Sequence, residues 1–371
     1  MQVPDSILQM MDSVEVSLLT CSPGHEVWSL YGHTAIRLVD KMSHQDIAIN
    51  YGVFSFQQKN FGIRFVFGIN DYMMGEAPTA LFLTEYQHEG RGIKEQVLNL
   101  TREDKLRFIR ALQENERPEN IFYRYNYFYD NCTTRARDII TKALTGRLEY
   151  TNKLDDRESF RSIIHKYNEK ERWSRVGNDL LLGVNADKPT TREEQQFLPD
   201  NLMRDFAHAT YDGRPLVKET RWLLEPGSTV DKEAEFPLSP MTCSIVVFVV
   251  TVLLTITEWL VKRRFWGFDL LMLLLTGLAG LVLLAMVFSQ HPTVSLNYQI
   301  VVLNPLSLVF LYPVVKASRE GRAHRYWDVL SSMILFFFIL SNWQSYAEGM
   351  HLLALSLLVR SCRIFWPRRN K

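Results

Sequence analysis

MTCSIVVFVVTVLLTITEWLV, residues 241–261, is an apolar stretch interrupted by a single charged residue, Glu258. A helix of this length crosses the ~30 Å hydrocarbon core of a bilayer. Further apolar stretches follow, and Asn304-Pro305 within one of them predicts a kinked or broken helix. We predict five membrane spans, at 241–261, 268–288, 294–315, 327–341 and 350–365.

Basic residues flank alternate ends of these spans. Lys262, Arg263 and Arg264 follow the first span, a second basic group follows the third span, and a third group closes the chain. The loops at 289–292 and 342–349 contain no Lys or Arg. Because basic loops remain cytoplasmic, we predict a cytoplasmic C-terminus and a hydrophilic head in a periplasm-like space.

Charge divides the chain in the same way. Residues 240–371 contain 12 Lys and Arg against 5 Asp and Glu, which leaves 30 against 36 upstream. This split excludes a purely soluble enzyme, a disordered chain and a nucleic-acid binder that relies on a basic face. Residues 1–13 lack the basic and apolar regions of a signal peptide. Export of the head therefore requires a signal that has been removed or replaced, or the first span itself.

The upstream part mixes strand and helix patterns. A hairpin is predicted from 33–40 and 47–54, and further strands from 14–20, 64–67, 96–100 and 122–129. A capping box at Thr101–Asp104 predicts a helix to about residue 115, and another helix begins at Cys132. Helical patterns without clear strands between them follow from residue 158. We predict an α+β head over 1–150, a helical appendage and linker over 151–238, and an all-α membrane domain over 239–371.

Cys132 and His33 are the residues that point to chemistry. Cys132 opens a predicted helix, where unpaired N–H groups and the helix dipole favour a thiolate and can serve as an oxyanion hole. His33 opens a predicted strand and could accept the thiol proton. A third group must orient the imidazole, and Asn50 on the returning hairpin strand is our candidate; Asp46 and Tyr51 are the alternatives.

A structural interpretation of the same residues remains open. In an oxidising compartment Cys21 and Cys132 could form a disulfide, and the chain would then be a scaffold or sensor. The aromatic run at 122–129 is interpreted as packing. No HExxH motif, paired CxxC motif or Asp-rich loop indicates a metal, and we predict neither a metal site nor a cofactor.

The order of these motifs resembles a known superfamily. A His-bearing hairpin followed by Asn-Cys at a helix start is the order of circularly permuted papain-like enzymes, which include the lecithin:retinol acyltransferase-like and NlpC/P60-like proteins. More closely, the chain resembles the Lnb-type bacterial lipoprotein N-acyltransferases, although Ser55 stands where members often carry an acidic residue. The motifs that carry the resemblance are TCSPG (20–24), YGHTAIR (31–37), NYGVF (50–54), YNYFYDNCTT (125–134), FLP (197–199), HP (291–292) and NP (304–305).

The resemblance implies a reaction and its partners. An acyl chain would pass from a phospholipid to Cys132, and then to the α-amino group of a diacylated lipoprotein's N-terminal cysteine. The protein would lie in the bacterial inner membrane with its head in the periplasm. Tyr31 and Asn131, which neighbour His33 and Cys132, are expected at the substrate site. A membrane-anchored cysteine peptidase or a phospholipase of the same fold is the alternative.

Polar residues in the membrane domain are further candidates, because polar groups at membrane depth are costly. His291, Asn297 and Asn304 lie in or just after the loop between the second and third spans, and His351 begins the fifth. We expect these four to bind a phospholipid headgroup or the lipoprotein amine. Glu348 could attract the same ammonium, and loop histidines that simply face water are the alternative.

Overall fold

The computed structural model describes residues 4–55, 57, 59–227 and 236–362. The chain divides into two compact units, one formed by 1–163 with 189–233 and the other by 164–188 with 234–371. We call them the head unit and the membrane unit. The predicted appendage over 151–238 contributes to both units.

The described residues contain ten strands, and every strand pair is antiparallel. The strands are β1 (Val14–Cys21), β2 (His33–Asp40), β3 (Gln45–Val53), β4 (Asp71–Pro78), β5 (Ile93–Leu98), β6 (Phe122–Arg124), β7 (Leu148–Tyr150), β8 (Ala209–Tyr211), β9 (Arg214–Pro215) and β10 (Val217–Leu224). Seven of them form one sheet in the order β10-β5-β1-β2-β3-β4-β6, and β7-β8-β9 form a small second sheet.

Helices make up the rest of the regular structure. The α-helices are α1 (Asp5–Met10), α2 (Phe61–Val66), α3 (Thr79–His88), α4 (Arg102–Asn115), α5 (Cys132–Ala143), α6 (Phe160–His165), α7 (Arg172–Leu181), α8 (Arg192–Gln195), α9 (Pro199–Ala207), α10 (Pro240–Val261), α11 (Trp266–Val287), α12 (Leu306–Val309), α13 (Leu311–Arg319), α14 (Tyr326–Leu340) and α15 (Met350–Ser361). Short 3₁₀ turns occur at Val184–Asp187 and Tyr298–Val301.

The head unit is α+β, as predicted. The predicted hairpin is present as β2 and β3, and Thr101 and Asp104 form the predicted capping box at the start of α4. The strand predicted at 64–67 is wrong, because these residues lie largely in α2. A short apolar run fits either a strand or a helical turn, so its pattern does not distinguish the two structures.

The predicted aromatic strand and the appendage also differ from the prediction. Pairing is limited to Phe122–Arg124, and the chain then turns toward α5. The appendage is not wholly helical, since β10 pairs with β5 and extends the main sheet at its edge. This pairing joins residues more than a hundred positions apart, so no local pattern predicts it.

The core of the head unit fixes the position of α5. The helix packs on β2 and β3, and its buried Ala136 and Ile140 share a hydrophobic cluster with Ile36 and Ile49 of those strands. A hydrogen bond of 3.0 Å between the hydroxyls of Thr34 and Thr133 joins β2 to the first turn of α5. The N-terminus of α5 therefore lies beside the start of β2.

The membrane unit contains the predicted apolar segments. α10 and α11 are each long and apolar enough to cross a membrane, and the bent stretch from Tyr298 to Arg319 would be a third span. α14 and α15 are shorter apolar helices of 15 and 12 residues, and residues 363–365 of the predicted fifth span lie outside the described residues. The five-span count stays a prediction for these two segments.

The third predicted span is broken. Its two parts, Tyr298–Val309 and Leu311–Arg319, meet at an angle of 73°. The helix is interrupted at Asn304-Pro305 as predicted, but the main bend comes later, at Phe310. The segment packs closely on α11 at Gly280, where an added Cβ would lie 2.3 Å from the carbonyl oxygen of Leu303.

Candidate functional site

The N-terminus of α5 is held by its cap residue. The side-chain oxygen of Asn131 accepts hydrogen bonds from the N–H groups of Thr133 and Thr134, both at 2.9 Å. Its amide nitrogen donates to the carbonyl oxygens of Tyr127 and Phe197. Asn131 is 4% exposed, so it acts as a rigid cap that fixes where Cys132 begins the helix.

His33 stands opposite this helix end. The Nε2–H group of His33 donates to Oδ1 of Asn50 at 3.0 Å, and the imidazole is hydrogen-bonded to the Cys132 thiol. Because Nε2 is engaged by an amide oxygen that only accepts, Nδ1 is the ring nitrogen left for the thiol proton. The structure therefore brings together the three residues predicted to form the site.

Electrostatics favour an ionised thiol. Burial opposes ionisation of Cys132, but the charge of His33 and hydrogen bonds from His33, the Thr34 backbone and Thr133 outweigh it and lower the thiol pKa to about 7. Burial alone would lower the pKa of His33, yet the Cys132 charge and hydrogen bonds to Cys132 and Asn50 raise it. Each group thus stabilises the charged form of the other, as an ion pair does.

The two alternative orienting residues lie elsewhere. Asp46 accepts hydrogen bonds from Arg37 at 2.6 and 2.8 Å and from Thr79 at 2.6 Å. The Tyr51 hydroxyl donates to Asn115 at 2.8 Å. Both groups are committed to structural partners, which leaves Asn50 as the residue that orients His33.

The sequence did not indicate that Gly52, Tyr123 and Tyr125 form one side of the site. Gly52 has φ +88°, and a Cβ placed on it would lie 3.8 Å from Cβ of Cys132 and 3.7 Å from the Tyr125 ring. The Tyr123 hydroxyl is 4.0 Å from the same point. The aromatic run was interpreted as packing, yet two of its tyrosines lie beside the thiol. The glycine that follows Asn50 and Tyr51 was the available signal, because it allows this close approach.

Two further residues of the head unit, Tyr31 and Asn131, are expected at the substrate site. Tyr31, an expected substrate residue, is 8% exposed and packs edge-on against Tyr127 at 5.4 Å between ring centroids. Asn131, the other one, uses its side chain as the helix cap. The Asn131 side chain therefore fixes the start of α5, and a part of Tyr31 in substrate binding stays a prediction.

The disulfide alternative does not describe this structure. Cys21 and Cys132 both carry free thiols, and Cys21 is buried in a hydrophobic cluster with Phe82 and Tyr86. Burial, the largest influence, raises the pKa of Cys21 to about 12. Cys132 is half-buried and has a lowered pKa. It is therefore both more accessible and more easily ionised than Cys21.

Two of the polar membrane residues are structural. Asn297 donates to the carbonyl oxygen of Leu180 at 2.7 Å, and its own oxygen accepts from Gln344 at 2.9 Å. The Asn304 side-chain oxygen accepts the N–H of Leu306, the first residue of α12, at 2.9 Å. They are 7% and 2% exposed. The expectation that Asn297 and Asn304 bind substrate is not supported by these positions, because their hydrogen-bonding groups are used internally.

The two membrane-unit histidines differ from each other. His291 lies in the loop after α11, where burial lowers its pKa, and its backbone N–H donates to Ser289. His351 begins α15 with an exposed side chain whose ring contacts Phe337, Phe338 and Tyr346. Their part in substrate binding stays a prediction.

Two of the basic residues used to predict the orientation in the membrane, Arg264 and Arg360, are buried in ion pairs. Arg264 and Arg360 bridge Glu258 and Asp269 through hydrogen bonds of 2.7 to 3.2 Å, and none of the four side chains is more than 2% exposed. The cluster joins α10, α11 and α15. These two arginines therefore present no free charge to a cytoplasmic surface, while Arg363, Arg368, Arg369 and Lys371 lie outside the described residues.

The described part of the chain holds no group of three or more His, Cys, Asp or Glu arranged to hold a metal ion.

Comparison with known families gives two matches. The model described as the Lnb N-terminal periplasmic domain matches residues 9–166, and the model described as the Lnb transmembrane domain matches residues 231–371. No curated protein and no solved structure matches the chain. The first match contains His33, Asn50 and Cys132, and the second contains the apolar helices α10 to α15.

Proposed function

Because the chain belongs to the Lnb family, which indicates a lipoprotein-processing membrane enzyme with a periplasmic head, we propose that it is a lipoprotein N-acyltransferase. It transfers an acyl chain from a phospholipid, through a thioester on Cys132, to the α-amino group of a diacylated lipoprotein's N-terminal cysteine. The observation that carries this proposal is the Cys132–His33–Asn50 arrangement at a capped helix N-terminus.

The first half-reaction acylates the enzyme. The Cys132 thiolate attacks the carbonyl carbon of a phospholipid ester and forms a tetrahedral oxyanion. The N–H groups of Thr133 and Thr134 are occupied by Asn131, so the N–H of Cys132 itself is the helix group that we assign to the oxyanion. As the C–O bond breaks, protonated His33 gives its proton to the departing alkoxide, and a lysophospholipid leaves.

The second half-reaction transfers the chain. The acceptor's neutral α-amine attacks the thioester carbonyl, and His33 accepts the proton that the amine loses. The C–S bond then breaks, an amide remains on the acceptor, and Cys132 returns to its thiolate with His33 protonated. Asn50 keeps the ring in one tautomer throughout, so that Nδ1 faces the reacting atoms in both steps.

The family supports this reaction over simple hydrolysis. Both substrates are lipid-anchored, and the head that carries the thiol is on the same chain as helices apolar enough to cross a membrane. A thioester is also more reactive toward amines than an ester is, which suits a transfer to nitrogen. The inner membrane is the location that this proposal requires.

The test is transfer of a labelled chain. Full-length protein is reconstituted with a phospholipid carrying isotopically labelled acyl chains, and a diacylated lipopeptide with a free α-amino group is added. We expect a labelled triacylated lipopeptide, and no product from the matched N-acetylated lipopeptide. Release of free fatty acid alone would identify a phospholipase, and cleavage of the peptide a peptidase; either result would contradict the proposal.

A further inference from the structure

The membrane unit contains an apolar pocket that the preceding reaction has not used. It has a volume of about 210 Å³ and lies where α7, the first turns of α10 and the start of α15 meet. Trp173, Val176 and Leu180 line it from α7, and Val247 and Leu353 line it from the membrane helices. A pocket lined mainly by apolar side chains favours hydrocarbon, so this pocket is suited to part of an acyl chain.

A single acidic side chain lies among the residues that line this pocket. Glu348 precedes α15, and its carboxylate accepts the N–H of Met241 at 3.0 Å. The residues that line the pocket include no Lys, Arg or His. A ligand in the pocket therefore has a carboxylate among its neighbours, and a cationic group on the ligand complements it.

An anionic headgroup is not matched in the same way. The N-terminus of α10 could attract a phosphate, but the N–H of Met241 is taken by Glu348 and the N–H of Thr242 by the Ser239 hydroxyl, at 3.1 Å. With these donors occupied and a carboxylate present, a phosphodiester would experience repulsion without compensation. The charge at this pocket thus favours an ammonium group.

We propose that the pocket binds the acceptor: one acyl chain of the diacylated lipoprotein occupies the apolar space, and its α-ammonium pairs with Glu348. This assignment rests on the proposed function for the identity of the ligand. It gives Glu348, rather than Asn297 or Asn304, the task of first binding the α-ammonium, which must lose a proton and leave the carboxylate before the amine attacks the thioester. The pocket lies in the membrane unit and acts by binding alone.

Cys243 makes the proposal directly testable. This native cysteine lines the pocket and is half-buried, and Cys362, which is also half-buried, lies past the other end of α15. The full-length Cys132→Ala protein in phosphatidylcholine nanodiscs is treated with a maleimide, and labelling rates are read by mass spectrometry. Since this variant cannot form a thioester, the result is independent of whether the acyltransferase proposal is correct.

The diacylated lipopeptide with a free α-amine should slow labelling of Cys243 about fivefold or more and leave Cys362 unchanged. The N-acetylated lipopeptide and phosphatidylglycerol should protect several-fold less. Equal protection by all three lipids, stronger protection by phosphatidylglycerol, or no protection by any of them would each overturn the assignment.

Three variants separate the two parts of the site. Glu348→Gln keeps an acceptor oxygen for Met241 but removes the charge, and should abolish the preference for the free amine over the N-acetyl group. Val247→Trp fills the pocket and should weaken protection at least fivefold. Val249→Trp adds equal volume at an exposed position of the same helix and should leave protection unchanged. A preference that survives Glu348→Gln, or equal effects of the two tryptophans, would contradict the proposal.

Discussion

The head unit and the membrane unit each place charged or polar side chains out of water, but they satisfy them differently. In the membrane unit Glu258, Asp269, Arg264 and Arg360 satisfy one another through a closed set of hydrogen bonds and are essentially unexposed. In the head unit the Cys132 thiol is half-buried and paired with an imidazole that can exchange its proton. A closed network leaves no group free to react and is costly to break, whereas an accessible thiol beside an imidazole can exchange a proton and carry out chemistry.

The largest effect that this comparison predicts is at Cys132. Cys132→Ser replaces the thiolate with a hydroxyl that is far harder to ionise, and acyl transfer should fall by a factor on the order of 10⁴ or more. The unfolding temperature should change little. Cys362→Ser is the matched control and should retain full transfer. Full activity of the Cys132→Ser protein would refute the nucleophile assignment.

The second effect concerns the ion pair itself. The thiolate exists above its pKa of about 7 and is protonated below it, so alkylation of Cys132 should slow about tenfold per pH unit as the pH falls below 7. In His33→Gln the stabilising charge is absent, and the midpoint should move up toward the ordinary thiol value of about 8.5. Rates of iodoacetamide labelling from pH 5 to 9 provide the measurement. A flat profile, or a midpoint that His33→Gln leaves unmoved, would contradict the pairing.

A smaller effect is expected at the orienting residue. Asn50→Ala leaves the ring free to rotate and to change tautomer, and transfer should fall roughly 10- to 100-fold, with kcat affected more than KM. Asn50→Asp keeps an acceptor oxygen and should recover part of this loss. If Asn50→Ala had no effect on the rate or on its pH profile, the hydrogen bond at 3.0 Å would be structural only.

Breaking the buried ion-pair cluster of the membrane unit should lower the stability of the protein and leave acyl transfer unchanged. Arg360→Met leaves Glu258 and Asp269 without one of their partners, and we expect a loss of about 3–5 kcal/mol in unfolding free energy. Arg322→Met breaks an exposed pair with Glu320 and should leave stability nearly unchanged. Thermal unfolding in detergent measures both effects, and transfer per folded molecule should stay near that of the native protein. A large loss of transfer in correctly folded Arg360→Met would assign the network a catalytic part.

Local patterns predicted the local elements. Alternation placed the β2–β3 hairpin, the Thr101 capping box placed α4, and a cysteine after an Asx cap placed α5. The long apolar runs placed α10 and α11 because a single physical requirement, the bilayer thickness, sets their length.

What the sequence could not predict depends on contacts between distant residues. β10 joins the sheet through β5, and Tyr123 and Tyr125 reach the thiol only because α5 packs on β2 and β3. Asn297 looked functional because a polar residue at membrane depth is costly, but Gln344 and the Leu180 carbonyl satisfy it. The hydrogen-bond partner of a buried polar group is set by the fold, because it can come from a distant part of the chain.

The central claim, that Cys132 carries an acyl chain between two lipid substrates, is tested most directly by intact-protein mass spectrometry. Reduced full-length protein is incubated with phospholipid and no acceptor, and then chased with the diacylated lipopeptide. We predict a fatty-acyl mass increment on Cys132 that hydroxylamine removes and that the chase transfers to the lipopeptide amine. Acylated lipopeptide formed without any increment on Cys132, or an increment that the chase releases only as free fatty acid, would contradict the account.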